Sequence, residues 1–383
     1  MNVAEDKPTI LFATVAVGGG HVATARAMSG AIERYYPGRF DLPVSDYMED
    51  LGVDGIDRRH KAFWRCALRY PTIARTGQRL IDTFPRVTVA GQRLLVREFS
   101  KTAAAVLREN PPLLIVSNHG LITSGLVESK RRYGLEVPVL TYATEPYNIC
   151  AYWADPLADH IVVPSQDVRK DLIHMGVPAD RVAVVSYPVR QSFLNAPAKA
   201  EAREHLGLDD RFTTLISLGG EGLGGDPGWV IRTLLDSRIS PQIVVITGRN
   251  KALSSSLRRL QTPGLRVEGF VEDMASYLAA SDVVVGKGGP ASVYEALAVG
   301  RPVLATRYAG LNELGVVRFI EREGFGHYVK TPAALSKEIE RYASDPGLLE
   351  EVARRSGRLE LASKTEELAH YVVRYALSGG TGA

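Results

Sequence analysis

The chain has 383 residues, 45% of them hydrophobic, with 36 glycines and 21 prolines; this suits two α/β domains with many tight turns and excludes a fibrous or largely disordered protein. Two cysteines, Cys66 and Cys150, cannot build a disulfide framework and fit a reducing compartment. The formal charge of +3 conceals a patch: between Arg58 and Arg108 twelve Lys and Arg stand against Asp82 and Glu98 alone, a net +10 that leaves −7 for the rest.

The first nine residues carry Glu5, Asp6 and Lys7 and lack the charged-then-apolar build of a signal peptide, so no export is expected. No apolar run approaches the ~20 residues needed to cross a bilayer, so membrane contact would be peripheral. Residues 9–15 read as a buried strand, Gly18-Gly19-Gly20 as a turn, 23–35 as the following helix, and Asp46 as the end of a second strand. Next, Lys61, Arg65 and Arg69 recur every four residues with Phe63, Trp64, Ala67 and Tyr70 among them. Such a basic, aromatic helix can lie in a headgroup layer; the competing reading is a solvated charged face over core aromatics, and no nucleic-acid motif accompanies the charge. Apolar runs at 113–116, 137–143, 161–163 and 182–185 continue the first half, and runs at 213–218, 242–247, 265–267, 283–285 and 302–306 repeat the rhythm in the second. Strands alternating with helices imply parallel sheets. The small, proline-bearing stretch 195–199 reads as the linker, dividing 1–194 from 195–383, and 356–377 as a terminal helix with the option of packing back on the first domain.

The turn Gly18-Gly19-Gly20-His21-Val22-Ala23 satisfies the G-x-G-x-x-A dinucleotide fingerprint, with Asp46 near the expected acid, so an NAD-dependent dehydrogenase is one reading. A His inside that turn suits a second purpose, an imidazole set beside a hydroxyl as general base; a helix-start His bonded locally is the third. In the second half, Gly288-Gly289-Pro290-Ala291-Ser292 follows a strand and opens a helix, a diphosphate site by its amides and dipole, with Glu295 one turn inside for a ribose diol. An ordinary tight turn with a solvated Glu is the alternative. Gly219-Gly220-Glu221 and Arg249 end neighbouring strands of the same half and converge on the same ligand. His119, after the 113–116 strand, and His160, before the 161–163 strand, each read first as structural, and His119 is the better of the two candidates for a first-domain site. Neither cysteine has a partner at ligand spacing and no His pair lies at i, i+4, so no metal site is expected.

GGGHVATARAM at 18–28, SYPVRQSF at 186–193, SLGGEGLGG at 217–225, TGRNKAL at 247–253 and GKGGPASVYEALAVGRPVL at 286–304 follow one another along nearly the whole chain. In this combination the sequence resembles the monogalactosyldiacylglycerol synthase and processive diacylglycerol glucosyltransferase family, related to the peptidoglycan N-acetylglucosaminyltransferase. The resemblance implies an α/β GT-B fold, two Rossmann-like domains facing across a cleft with the donor in the second and the acceptor in the first. It implies an inverting transfer of a hexose from a UDP-sugar to a lipid hydroxyl, with diacylglycerol or a related glycerolipid as acceptor and a polyprenyl-linked lipid as the alternative, at the anionic inner face of the cell membrane, with no metal or cofactor. A nucleotide-sugar-binding protein without turnover is a further alternative. His21 matches the family's glycine-turn base, with Gly19 and Gly20 shaping its turn, and Glu295 the ribose-binding acid. Asn312-Glu313 falls where the family carries an amide-acid pair on the donor sugar, and Arg249 and Phe270 fall near the uracil pocket. Glu145 and Trp153 stand in for an acceptor motif that in the family also contains a His, absent here, and the spacing to Trp153 is one residue longer.

Overall fold

The computed structural model describes residues 7–16, 19–220, 222 and 227–381, in two units. The first takes residues up to Ala67, Thr72–Arg190 and the chain from Ala362 onward; the second takes Leu68–Pro71 and Gln191–Leu361.

Six parallel strands form the sheet of the first unit: β1 (Ile10–Thr14), β2 (Val44–Asp46), β3 (Leu114–Ser117), β4 (Val139–Tyr142), β5 (His160–Val163) and β6 (Val182–Val184), ordered β2-β1-β3-β4-β5-β6. Their inner members are apolar on both faces because helices cover both sides, as parallel sheets require. On one face Ile10, Phe12, Leu114 and Leu140 pack with Met28 and Ile32 of the helix Gly20–Tyr35 and with Leu368, Val372 and Ala376 of the helix Leu361–Leu377. On the other, Ala13 and Ile115 meet Phe99, Ile122 and Leu126 from the helices Arg97–Glu109 and Gly120–Tyr133. Each fully buried Leu or Val contributes roughly 1.5–3 kcal/mol, so the terminal helix is held by its apolar stripe.

The tail differs from the single helix read over 356–377. One helix, Pro346–Gly357, starts on an Asp345 cap whose Oδ1 accepts the Gly347 N–H at 3.0 Å, and a separate one begins at Leu361. Between them Glu360 adopts φ 51, a left-handed conformation that breaks the helical run.

The second unit holds β7 (Thr213–Ser217), β8 (Gln242–Ile246), β9 (Leu265–Glu268), β10 (Val283–Lys287), β11 (Val303–Arg307) and β12 (Gly326–Tyr328), ordered β12-β11-β10-β7-β8-β9, again all parallel. The three-residue β12 has no counterpart in the sequence reading, because a Gly-led run that short shows no periodicity. In each sheet the strand order reverses once, between β1 and β3 and between β7 and β10. Ligands of open α/β sheets bind outside the carboxyl ends of the strands at such a switch point.

Candidate functional site

His21, after β1, and His119, after β3, flank the switch point of the first unit. Gly19, at φ 81, turns the chain out of β1 and starts the helix from Gly20, which places His21 in its first turn. His21 Nδ1 lies 2.8 Å from the carbonyl oxygen of Asn118, the residue after β3. A carbonyl oxygen only accepts, so Nδ1 carries the proton and Nε2 the lone pair. Thr144 Oγ1, beyond β4, stands 3.1 Å from the same Nδ1. The geometry thus selects the tautomer a general base needs.

His119 caps the helix Gly120–Tyr133, its Nδ1 accepting from the Leu121 N–H at 3.2 Å. Its ring centroid is 4.9 Å from that of His21 and 4.8 Å from that of His60, on the helix Asp54–Arg69. Burial, with the neighbouring imidazoles adding to it, holds His119 well below the ordinary His range and pulls His60 down to about 4. Both are therefore neutral near pH 7. Sequence reasoning missed His60, and no local signal marked it, because it meets His119 only through packing between segments distant in the chain. Among the described residues no group of three or more His, Cys, Asp or Glu is arranged to hold a metal ion.

Trp153 is fully buried with its ring 6.1 Å from His21, and Tyr152 lies 5.9 Å from His119. Glu145, also buried, accepts from the Cys150 N–H at 2.9 Å and from the Tyr152 hydroxyl at 3.1 Å. Burial raises its carboxyl to about 7 against those hydrogen bonds, with the Asp82 carboxylate pushing the same way. The structure thus brings His21, His119, Glu145 and Trp153 into one neighbourhood.

It does not bring Lys61 to a membrane face. Its ammonium meets Asp46 and Glu49 at 2.8 Å and Asp57 at 2.9 Å, and those hydrogen bonds raise its pKa despite the opposing burial. Expected as a headgroup contact, Lys61 instead ties three segments of its own unit together; a cation enclosed by three carboxylates has no charge left for an anionic surface. Arg93 is likewise taken up, by the buried Asp155. The side chains of Trp64, Arg65 and Arg69 lie outside those described. The Lys61 contact also engages Asp46 Oδ2, which a dinucleotide reading assigns to a ribose.

In the second unit three loops gather at the carboxyl ends of β7, β8 and β9. Gly219 takes φ 74 and Gly248 φ 58, and the Arg249 N–H donates to the Gly220 carbonyl at 2.8 Å. A Cβ on Gly248 would come within 2.4 Å of the Gly220 oxygen, so only glycine fits this junction. The Arg249 guanidinium lies 4.5 Å over the exposed ring of Phe270, a flat cationic and aromatic platform. Glu221 lies outside the described residues.

After β10 the amides of Gly288 and Gly289 donate to the Arg307 and Lys287 carbonyls at 3.0 and 2.8 Å, so neither is a donor for a phosphate as the sequence reading had it. The Ala291 and Ser292 amides, in the first turn of the helix Pro290–Ala298, are left without intrahelical acceptors by helical geometry. Gly288 is needed for space, since a Cβ there would meet Val317 Cγ2 at 2.5 Å. Glu295 and Asn312 are half-buried, while Glu313 is buried with one oxygen on Lys287 Nζ at 2.5 Å and the other on the Ala309 N–H at 2.6 Å.

Two family models match the chain, "Glycosyltransferase Family 4" over residues 49–192 and "Glycosyl transferases group 1" over 229–345. Monogalactosyldiacylglycerol synthase 1 of Arabidopsis thaliana is 26% identical over 351 residues, covering 88% of this chain and 65% of that protein. A processive diacylglycerol beta-glucosyltransferase of Staphylococcus epidermidis is 27% identical, covering 61% of this chain and 59% of that protein. The chain resembles the diacylglycerol glycosyltransferases. It spans less than two thirds of the length of these relatives. In fold it is similar to Anabaena HepE in complex with UDP (TM-score 0.57, 15% identity, 96% of this chain and 100% of that one) and to Acinetobacter baumannii MurG (0.58, 14%, 96% and 100%). The fold is GT-B.

Proposed function

We propose that this chain is an inverting glycosyltransferase that moves a hexose from a UDP-sugar to the hydroxyl of a membrane lipid, a diacylglycerol or a related glycerolipid. The observation that carries the reading is the bond from His21 Nδ1 to the Asn118 carbonyl, which puts the proton on Nδ1 and the lone pair on Nε2, the tautomer of a general base. As His21 Nε2 takes that proton, the hydroxyl oxygen bonds to the anomeric carbon, the bond from that carbon to the diphosphate oxygen breaks, and UDP leaves with the electron pair. The imidazolium then returns its proton to solvent. Charge gathers on the leaving diphosphate, where the Ala291 and Ser292 amides and the positive end of their helix act electrostatically.

The names of the sequence relatives support the lipid acceptor, and a fold relative solved with UDP supports the donor. A peripheral membrane site is supported by the helices Pro71–Thr83 and Pro85–Leu95 and by Phe84 between them, where Leu80 (67%), Phe84, Val87 (70%), Leu94 and Leu95 are exposed with Arg79 and Arg86 beside them. Apolar side chains that open to water, rimmed by cations, match an anionic lipid surface. Among the described residues no helix is long and apolar enough to cross a membrane. The test is His21→Ala: turnover should fall by roughly 10²–10⁴ for loss of a general base, with UDP affinity held within about threefold. Unchanged turnover would overturn the mechanism, and a large loss of UDP binding would reassign His21 to the donor.

A further inference from the structure

We propose that His119 is a second substrate-contacting residue, a neutral imidazole that donates its Nε2 proton to an ester carbonyl of the acceptor lipid while His21 takes the proton of the adjacent hydroxyl. The proposal rests on the glycosyltransferase reading above and adds to it the residue that positions the acceptor.

The proton count fixes the donor. The Leu121 peptide N–H can only donate, so His119 Nδ1, which receives it at 3.2 Å, holds a lone pair, and in the neutral ring the proton sits on Nε2. That Nε2 is buried, in a side chain 1% exposed, and has no hydrogen-bond partner among the described residues. The residue before it repeats the situation, since both side-chain amide atoms of the fully buried Asn118 are also without partners there. Buried polar atoms are nearly always satisfied, and a cluster that is not calls for a ligand or water. This cluster stands at the carboxyl end of β3, at the switch point where open α/β sheets bind their ligands.

Position relative to His21 decides which oxygen the donor serves. The two rings lie 4.9 Å apart, so one group could reach the reacting hydroxyl and the other an oxygen close to it on the same molecule. A donor to the attacking oxygen would draw electron density from it and weaken it as a nucleophile. A donor to a neighbouring carbonyl would instead fix the hydroxyl in line without weakening it. The surroundings suit a neutral oxygen rather than a phosphate: His60 and His119 are held neutral, and the nearby Lys61 is enclosed by Asp46, Glu49 and Asp57.

Two substitutions separate the donor from the helix cap. Asn at position 119 keeps an acceptor for the Leu121 N–H, being a favoured N-cap, but its amide is too short to replace Nε2. Gln reaches as far as His and carries an N–H. The assay follows UDP release on 1,2-dioleoylglycerol and on its diether analogue, which lacks both carbonyls, each in phosphatidylglycerol vesicles. His119→Asn should raise the KM for dioleoylglycerol about tenfold, the scale of one lost hydrogen bond in a buried site, with Tm and UDP affinity held. His119→Gln should restore most of that loss. The diether should carry a similar KM penalty in the wild type and none further in His119→Asn. A wild-type KM in His119→Asn, or equal diether penalties in both proteins, would overturn the assignment while leaving the transferase reading in place. If His119→Asn does not fold, an unchanged wild-type KM on the diether overturns it equally. No lipid-dependent UDP release by the wild type on either lipid would overturn both readings together.

Discussion

Replacing Lys61 with Met separates two roles for the basic stretch from Arg58 to Arg108. Lys61 is four-fifths buried (side chain 19% exposed) and meets three carboxylates, of which Asp57 and Asp46 are themselves 7% and 16% exposed and Glu49 is exposed at 63%. Removing the cation leaves two carboxylates in low dielectric without their counter-charge; breaking a buried pair typically costs about 3–5 kcal/mol, and the exposed third partner and residual solvent place this case near 3. For a unit of this size that corresponds to a fall in Tm of about 6–12 °C. Differential scanning calorimetry reads the loss, and vesicle sedimentation on phosphatidylglycerol, run below the new Tm, should show no change in affinity. A Lys at a headgroup surface predicts the reverse, no thermal effect and a loss of roughly 1 kcal/mol of binding. An unchanged Tm with weakened vesicle binding would refute the assignment of Lys61 to the interior.

Glu145→Gln should flatten part of the pH dependence of stability. The buried carboxyl is raised to about 7, so between its ordinary value and 7 the folded state holds a proton the unfolded state has lost, and stability should rise as pH falls through 7. The difference between wild type and Glu145→Gln in urea midpoints at pH 8 and pH 6 isolates this term from His60 and His119, whose depressed values act oppositely; an equal difference at both pH values would refute it. Gly248→Ala places a Cβ 2.4 Å from the Gly220 oxygen at φ 58 and should cost more than about 1 kcal/mol and weaken UDP binding by calorimetric titration, whereas unaltered binding would remove this junction from the donor site. Leu80→Asp with Val87→Asp should lower vesicle affinity at least tenfold, on the order of the apolar transfer energy lost, with Tm unchanged because both side chains are exposed; retained affinity would place the membrane face elsewhere.

What was legible in the sequence was whatever local pattern determines. The strand into Gly19, the helix from Gly20 and the β10 turn into Pro290 show in β-branched runs, glycines and a helix-start proline, because a few neighbouring residues fix them. The place of His21 in the first turn of that helix was legible for the same reason. His60 was not, since it reaches His119 only through packing between segments far apart in sequence. Lys61 read as surface because charge counting along a helix cannot see that Asp46, Glu49 and Asp57 close around it. The glycines after β10 misled in another way: pattern places a phosphate cradle there, but whether an amide is open depends on the Arg307 and Lys287 carbonyls, which only the folded backbone supplies.

The most direct measurement is UDP release by the purified protein across a panel of UDP-hexoses, with and without phosphatidylglycerol vesicles containing diacylglycerol, matched to new glycolipid by mass spectrometry. The account predicts release that requires the lipid and equals the glycolipid formed. UDP-sugar binding with no glycolipid from any acceptor in the panel would contradict it, leaving a protein that holds the donor and transfers nothing.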